Sequence, residues 1–269
     1  MSDFHLTVIG CGMIGSSILR AIAVHRTPHA DSNARITKIR AYDHDADTRT
    51  ALRAAQLADE VLDTLDAACA YDPAPARHFV VFAPTASVVV ACIRAALPQL
   101  AAGTIISDVN STKTHLVEEL AVDLARHSGV DFVPAHPVAG TENSGVQAGL
   151  AELFQQRPVI IVPLAGTRPE SIAFVAQFWE QIGAWTQQMT PAHHDRVLAV
   201  TSHIPHLVAY AIVGTACNLA SDLHDAELDG APNCDGDGAG LVTRREITEF
   251  AAGGFRDFTR IAASDPEMW

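Results

Sequence analysis

Between residues 6 and 164 six short runs rich in Val, Ile and Phe recur, most of them separated by a stretch of helical periodicity. A short apolar run without polar alternation suits a strand covered on both faces. Strands joined through helices pair in parallel, because the chain crosses over before it returns. Strands are expected at 6–10, 36–43, 79–84, 104–108, 131–136 and 158–164, and helices at 13–25, 46–56, 86–97, 112–127 and 169–182. This pattern implies an α/β fold class, a doubly wound parallel sheet of the Rossmann type. After Thr190 the period becomes helical throughout, with Pro191 suited to a first turn and Pro205 expected to kink or break the long helix. The chain therefore divides into 1–190 and a smaller all-helical domain, 191–269. Residues 222–240, acidic and glycine-rich, read as an inserted surface loop.

The charge balance narrows the partners. With 31 acidic against 18 basic residues the net charge is -13, and no basic block concentrates positive potential, so nucleic acid is not expected. An acidic protein that takes an anionic substrate must place its few cations in the pocket, which makes individual Arg and Lys residues informative. The five cysteines (Cys11, Cys69, Cys92, Cys217, Cys234) lack paired spacing and read as reduced thiols. No signal peptide and no unbroken apolar run of about 20 residues is seen, so a cytoplasmic chain without membrane contact is expected.

VIGCGMIGSS sets Gly10, Gly12 and Gly15 as G-x-G-x-x-G directly after the first strand and at the start of the first helix. The first glycine permits the tight turn, the second admits a pyrophosphate to the backbone, and the third lets helix pack on strand. The helix N-terminus adds N–H donors and positive potential for phosphates. Asp43, ending the second strand, is placed to accept hydrogen bonds from ribose hydroxyls, which favours NAD over NADP even though Arg49 lies nearby. A helix-capping role is the alternative for Asp43. The dinucleotide set is thus Gly10, Cys11, Gly12, Met13, Ile14, Gly15 and Asp43, with Pro84 and Asp108 at the ends of later strands.

Four further clusters come after it in order. Asp108-x-x-Ser111-x-Lys113 closes one strand and opens a helix, and His136 begins HPVAGTENSG, which includes Gly140, Glu142 and Gly145. HDRVLAVTSHIPH holds His194, Asp195, His203 and His206, and GGFRDFTRIAASDPEMW holds Arg256, Asp257, Arg260 and Trp269. A histidine leaving a strand end beside a nicotinamide suits proton transfer near neutral pH. In this order the clusters resemble the prephenate and arogenate (cyclohexadienyl) dehydrogenase family, the TyrA group of tyrosine biosynthesis. The resemblance implies oxidative decarboxylation with hydride transfer to NAD. It makes His136 the catalytic acceptor at the substrate hydroxyl with Ser111 as its hydrogen-bonding partner, and Arg260 the guanidinium for a substrate carboxylate. His206, Glu142, Lys113 and Trp269 complete the substrate set, the substrate is a small dicarboxylate, and the assembly is a homodimer.

Each assignment has a plainer rival: a satisfied core histidine for His136, an i, i+3 ion pair with Asp257 for Arg260, and metal binding by His193, His194, His203 and His206. No metal is expected, since the histidines lack a partnered Glu-x-x-His pattern. A 3-hydroxyacid or 6-phosphogluconate type dehydrogenase, the second function, calls for a substrate lysine, and residues 191–269 hold none. A non-catalytic NAD sensor is the third.

Overall fold

The structure, a computed structural model, describes residues 3–25, 35–70, 77–141, 143–228 and 249–263. They fall into two compact units, Met1–Val197 and Leu198–Glu267.

The first unit carries a six-stranded sheet in the order β3-β2-β1-β4-β5-β6, parallel throughout. Its strands are β1 (Phe4–Ile9), β2 (Ile36–Tyr42), β3 (Glu60–Val61), β4 (Arg77–Phe82), β5 (Ile105–Asp108) and β6 (Asp131–Phe132). Helices α1 (Met13–His25), α2 (Ala46–Ala54), α3 (Leu65–Cys69), α4 (Val89–Ala96) and α5 (Thr114–Arg126) connect them. The strand order reverses between β1 and β4, the crevice where open sheets of this kind bind ligands.

A single strand over 131–136 does not form. Asp131–Phe132 pairs with β5, but Pro134 has no N–H for a ladder, and the chain leaves the sheet there. It resumes as β7 (Ala135–Pro137), antiparallel to β8 (Pro158–Ile161), which pairs in parallel with β9 (Trp185–Gln188) in a separate three-stranded sheet. The 158–164 run is therefore a strand of this second sheet. Neither β3 nor β9 is expected from the sequence: β3 is two residues long, and β9 reads WTQQ, an exposed polar edge with no apolar pattern.

Helix α6 (Pro169–Gln181) buries Phe174, Val175, Phe178 and Trp179. Phe79 of β4 meets Phe174 and Phe178 edge-on at ring separations of 5.3 and 5.0 Å, and Phe4 of β1 meets Phe174 at 4.9 Å. Such offset pairs add about 0.5–1.5 kcal/mol each to the burial of their area.

His78 of β4 is buried in this sheet, its Nε2 2.9 Å from Thr7 Oγ1. Burial, helped by Arg40 and His5, pushes its pKa down to about 3 from an ordinary 6.5. The unfolded chain therefore takes this proton first, so the contribution to stability is whole above pH 6.5 and is lost as pH falls toward 3. One proton corresponds to about 1.4 kcal/mol per pH unit inside that window. Urea unfolding at pH 7, 6 and 5 is expected to give a slope reduced by about one proton in His78→Gln relative to the parent; equal slopes would remove His78 from the acid response.

In the second unit, helix α7 (Pro191–Leu198), most of which belongs to the first unit, continues through a π-helical turn, Ala199–His203, into α8 (Ile204–Leu228). The helix is not broken at Pro205. The π turn just ahead of it takes up the missing N–H and the ring's clash with the preceding turn. The expected 222–240 loop is likewise corrected in part, since 222–228 is helical, while 229–240 lies outside the described residues. A short helix α9 (Gly253–Thr259) and a 3-10 turn, Arg260–Ala263, pack on α8.

By length and composition alone the helix Pro191–Asn218 is long and apolar enough to cross a membrane, although it contains no unbroken apolar run of about 20 residues. Its exposed apolar side chains, Val200, Ile204, Leu207 and Val208, recur at helical spacing and form a stripe.

Candidate active site

The glycine loop joins β1 to α1. Gly10 has φ +85°, and a Cβ on it would stand 2.5 Å from Pro84 N, so the turn after β1 is closed against the turn after β4. A Cβ on Gly15 would fall 2.0 Å from Gly10 O, whereas one on Gly12 meets nothing within 4 Å. Two glycines thus permit backbone contact and the middle one faces open space, the arrangement a pyrophosphate needs. Met13 is buried and Ile14 packs against the same core.

Cys11, expected among the cofactor contacts, has a fully buried side chain whose thiol approaches Val8 O and Tyr42 O, and burial raises its pKa far above the thiol range. Its amide donates to Asp43 Oδ2 at 2.7 Å, so its part is to fasten the glycine loop to the acid. Asp43 Oδ1 accepts from Asp45 N at 2.9 Å, and Asp45 caps α2. The capping alternative thus falls to Asp45. Arg49 spends Nη1 on the carbonyls of Asp43 and His44, at 2.8 and 2.9 Å, and Nε stands 3.5 Å from Asp63.

At the carboxyl end of β5, Lys113 is fully buried; its Nζ donates to Asp108 Oδ2 at 2.6 Å and to Asn110 O at 2.7 Å. Burial pushes the ammonium down while Asp108 and Asp195 pull it up. This corrects the expectation that Lys113 faces substrate: it braces the β5–α5 corner. Asp108 Oδ1 and Asn110 Nδ2 are buried without a protein hydrogen bond among the described residues, one an acceptor and the other a donor. A nicotinamide carboxamide, which offers both functions, suits them chemically.

His136, in β7 and buried, has its Nδ1 2.8 Å from His194 Nε2. His194 Nδ1 in turn stands 2.8 Å from Asp195 Oδ1. Both Asp195 oxygens take backbone amides at the start of α5: Oδ1 from Lys113 N at 2.9 Å and Oδ2 from Thr114 N at 2.8 Å. Burial by itself raises the Asp195 pKa, but hydrogen bonds from Thr114, His194 and the two amides outweigh it and hold the carboxyl at about 2. Burial also lowers the pKa of His194.

The expected partner of His136 is Ser111, which lies partly exposed in the β5–α5 turn and makes no hydrogen bond to His136 among the described residues. Among the described residues a partner found for His136 is His194. The HD pair is visible in the sequence, but no pattern links it to a strand 58 residues earlier. The segment after His136 lies on the glycine loop's helix: a Cβ on Gly140 would be 3.7 Å from Met13 Cε, and Leu150 N donates to Ser17 Oγ at 2.9 Å.

His206 and Arg260 belong to the second unit. His206 Nδ1 is 2.9 Å from Ser202 O, and Arg260 is exposed, with no ion pair to Asp257 among the described residues. Glu142 and Trp269 lie outside the described residues. Among the described residues no group of three or more His, Cys, Asp or Glu is placed to hold a metal ion.

Comparison with known families decides the affiliation. The family model described as prephenate dehydrogenase, nucleotide-binding domain matches residues 31–188, and the one described as prephenate dehydrogenase, dimerization domain matches 190–228 and 239–269. The chain belongs to the prephenate dehydrogenase family. Residues 229–238, inside the expected insertion, fall between the matched segments.

A cyclohexadienyl dehydrogenase from Zymomonas mobilis is 35% identical over 265 residues, which cover 98% of this chain and 78% of that one. A prephenate dehydrogenase from Bacillus subtilis is 36% identical over 165 residues, 61% of this chain but 38% of the relative. The crystal structure of prephenate dehydrogenase from Aquifex aeolicus, in complex with hydroxyphenyl propionate and NAD+, superposes with a TM-score of 0.77 at 28% identity, covering 98% of this chain and 80% of that one.

Proposed function

We propose that this family member is an NAD-dependent dehydrogenase that oxidatively decarboxylates prephenate, arogenate or both, giving 4-hydroxyphenylpyruvate, tyrosine or both. The observation that carries the reading is the His136 imidazole, backed by His194 and Asp195 and followed by a loop that packs on the glycine-loop helix. The named relatives act on, or bind ligands of, this chemical class.

Residues 1–190 form the dinucleotide-binding domain in this reading, and 191–269 the helical substrate and dimerisation domain. NAD, when bound, takes the hydride from ring carbon 4. Gly12 leaves room for its pyrophosphate and Asp43 accepts from its ribose hydroxyls, with Pro84 and Asp108 along the same edge. His136 takes the hydroxyl proton as the C–O bond becomes a carbonyl, and loss of the ring carboxylate as carbon dioxide completes an aromatic ring. Ser111 contributes a hydroxyl at the rim. Arg260 pairs with a substrate carboxylate, assisted by His206, Glu142 and Trp269. The exposed stripe of Val200, Ile204, Leu207 and Val208 gives a homodimer its apolar face, in the segment matched by a dimerization model. A soluble, cytoplasmic enzyme is part of the same reading.

The test is direct. NADH absorbance is expected when NAD is supplied with prephenate or with arogenate, assayed side by side, and absence of turnover with both would overturn the reaction. NADP is expected to give a kcat/KM at least about tenfold lower, because the Asp43 carboxylate repels a 2′-phosphate and Arg49 is committed to carbonyls; equal values would remove Asp43 from the ribose. Arg260→Gln is expected to raise the substrate KM by about tenfold with a smaller change in kcat, the scale of one lost charge-assisted pair. An unchanged KM would take Arg260 out of the pocket.

A further inference from the structure

The buried chain running from His136 through His194 to Asp195 has a direction. Asp195 has both oxygens on backbone amides of Lys113 and Thr114, so it is an acceptor fixed in place. Facing a carboxylate, His194 Nδ1 must carry a hydrogen. A neutral His194 then presents the lone pair of Nε2, so His136 Nδ1 must be the donor across their 2.8 Å contact.

From this we infer that His194 and Asp195 are positioning residues that lock His136 as its Nδ1–H tautomer, leaving the Nε2 lone pair as the proton acceptor. The inference rests on the proposed reaction for its purpose but not for its geometry. The burial of His194, which keeps it neutral, agrees with this polarity. In the reactive step the substrate O–H bond breaks and a His136 Nε2–H bond forms. The imidazolium so made keeps donating from Nδ1 into His194, and the charge is balanced by Asp195. Lys113, three hydrogen bonds away along the network, opposes that charge, but its ammonium is neutralised by Asp108. The same carboxylate holds the first turn of α5, so the relay is anchored in backbone rather than in mobile side chains.

Nitrogen-15 NMR of the histidines in the full-length, ligand-free chain reads the tautomers without reference to turnover. His136 and His194 are both expected as Nδ1–H at pH 7.5, and His136 found as Nε2–H overturns the inference. In Asp195→Asn the amide oxygen can keep Lys113 N–H and His194 Nδ1–H at the Oδ1 position, so the tautomers are expected to persist while the charge that balances the imidazolium is lost. The kcat is expected to fall about a hundredfold, with NAD affinity within about threefold. An unchanged kcat in that variant also overturns the inference. Should Asp195→Asn not fold, the parent spectrum alone decides. Correct tautomers without turnover of either substrate would sink the reaction and leave the relay intact.

Discussion

Replacing His136 with asparagine is expected to lower kcat by about a thousandfold while the dissociation constant for NAD stays within about threefold. The asparagine amide can still donate to His194 Nε2 from near the position of Nδ1, so the buried partner is not orphaned and the β7–β8 pairing survives. What disappears is a basic nitrogen that gains its charge only as the hydroxyl becomes a carbonyl, an interaction made in the transition state and not in the ground state. Steady-state rates with each substrate, beside an NAD titration by protein fluorescence, separate the two quantities. Equal losses in both would mean that His136 supports the cofactor site and not the chemistry.

A pair of alanine substitutions in the glycine loop is expected to divide folding from binding. In Gly15→Ala the new methyl would lie 2.0 Å from Gly10 O and 3.3 Å from Val8 Cγ1, and the first of these is backbone that cannot swing aside. Overpacking of this kind costs about 3 kcal/mol or more, a drop in Tm of roughly 6–12 °C for a chain this long. Gly12→Ala meets nothing within 4 Å and should leave Tm unchanged, yet its methyl enters the space a pyrophosphate requires. NAD affinity is expected to fall about a hundredfold, roughly 2.7 kcal/mol. Thermal melts and NAD titration on both variants are sufficient. If Gly12→Ala binds NAD as the parent does, the loop is a packing device and the dinucleotide assignment fails.

Much of the first unit is legible in the sequence because its strands are buried on both faces and therefore announce themselves as apolar runs. The period places helices α1, α5 and α6 to within two residues. The failures have physical causes. The apolar run over 131–136 passes straight through Pro134, although a residue without an N–H is where a ladder stops. Polar, exposed β9 carries no hydrophobic signal. Lys113 is given a substrate role by the resemblance of D-x-x-S-x-K to the family motif; nothing local reveals that Asp108 and Asn110 O already hold it. His194 and Asp195 stand out as a pair without a role, since their value comes from β7 and α5, both distant in sequence. Short motifs locate the chemistry, and long-range contacts decide which member of each motif does what.

The placement of Asp195 bears on how the gene can be cut. A fragment ending at the motif boundary near 190 would shed the carboxylate that ties down the opening amides of α5 and strip His136 of its neighbour, although neither loss is visible from the excised sequence. Three residues of a helix assigned by sequence to one half, Pro191 to His193, lead directly into the pair that finishes the other half. An expressed dinucleotide-binding fragment should therefore run to Val197, with the first two turns of α7 treated as its last secondary-structure element.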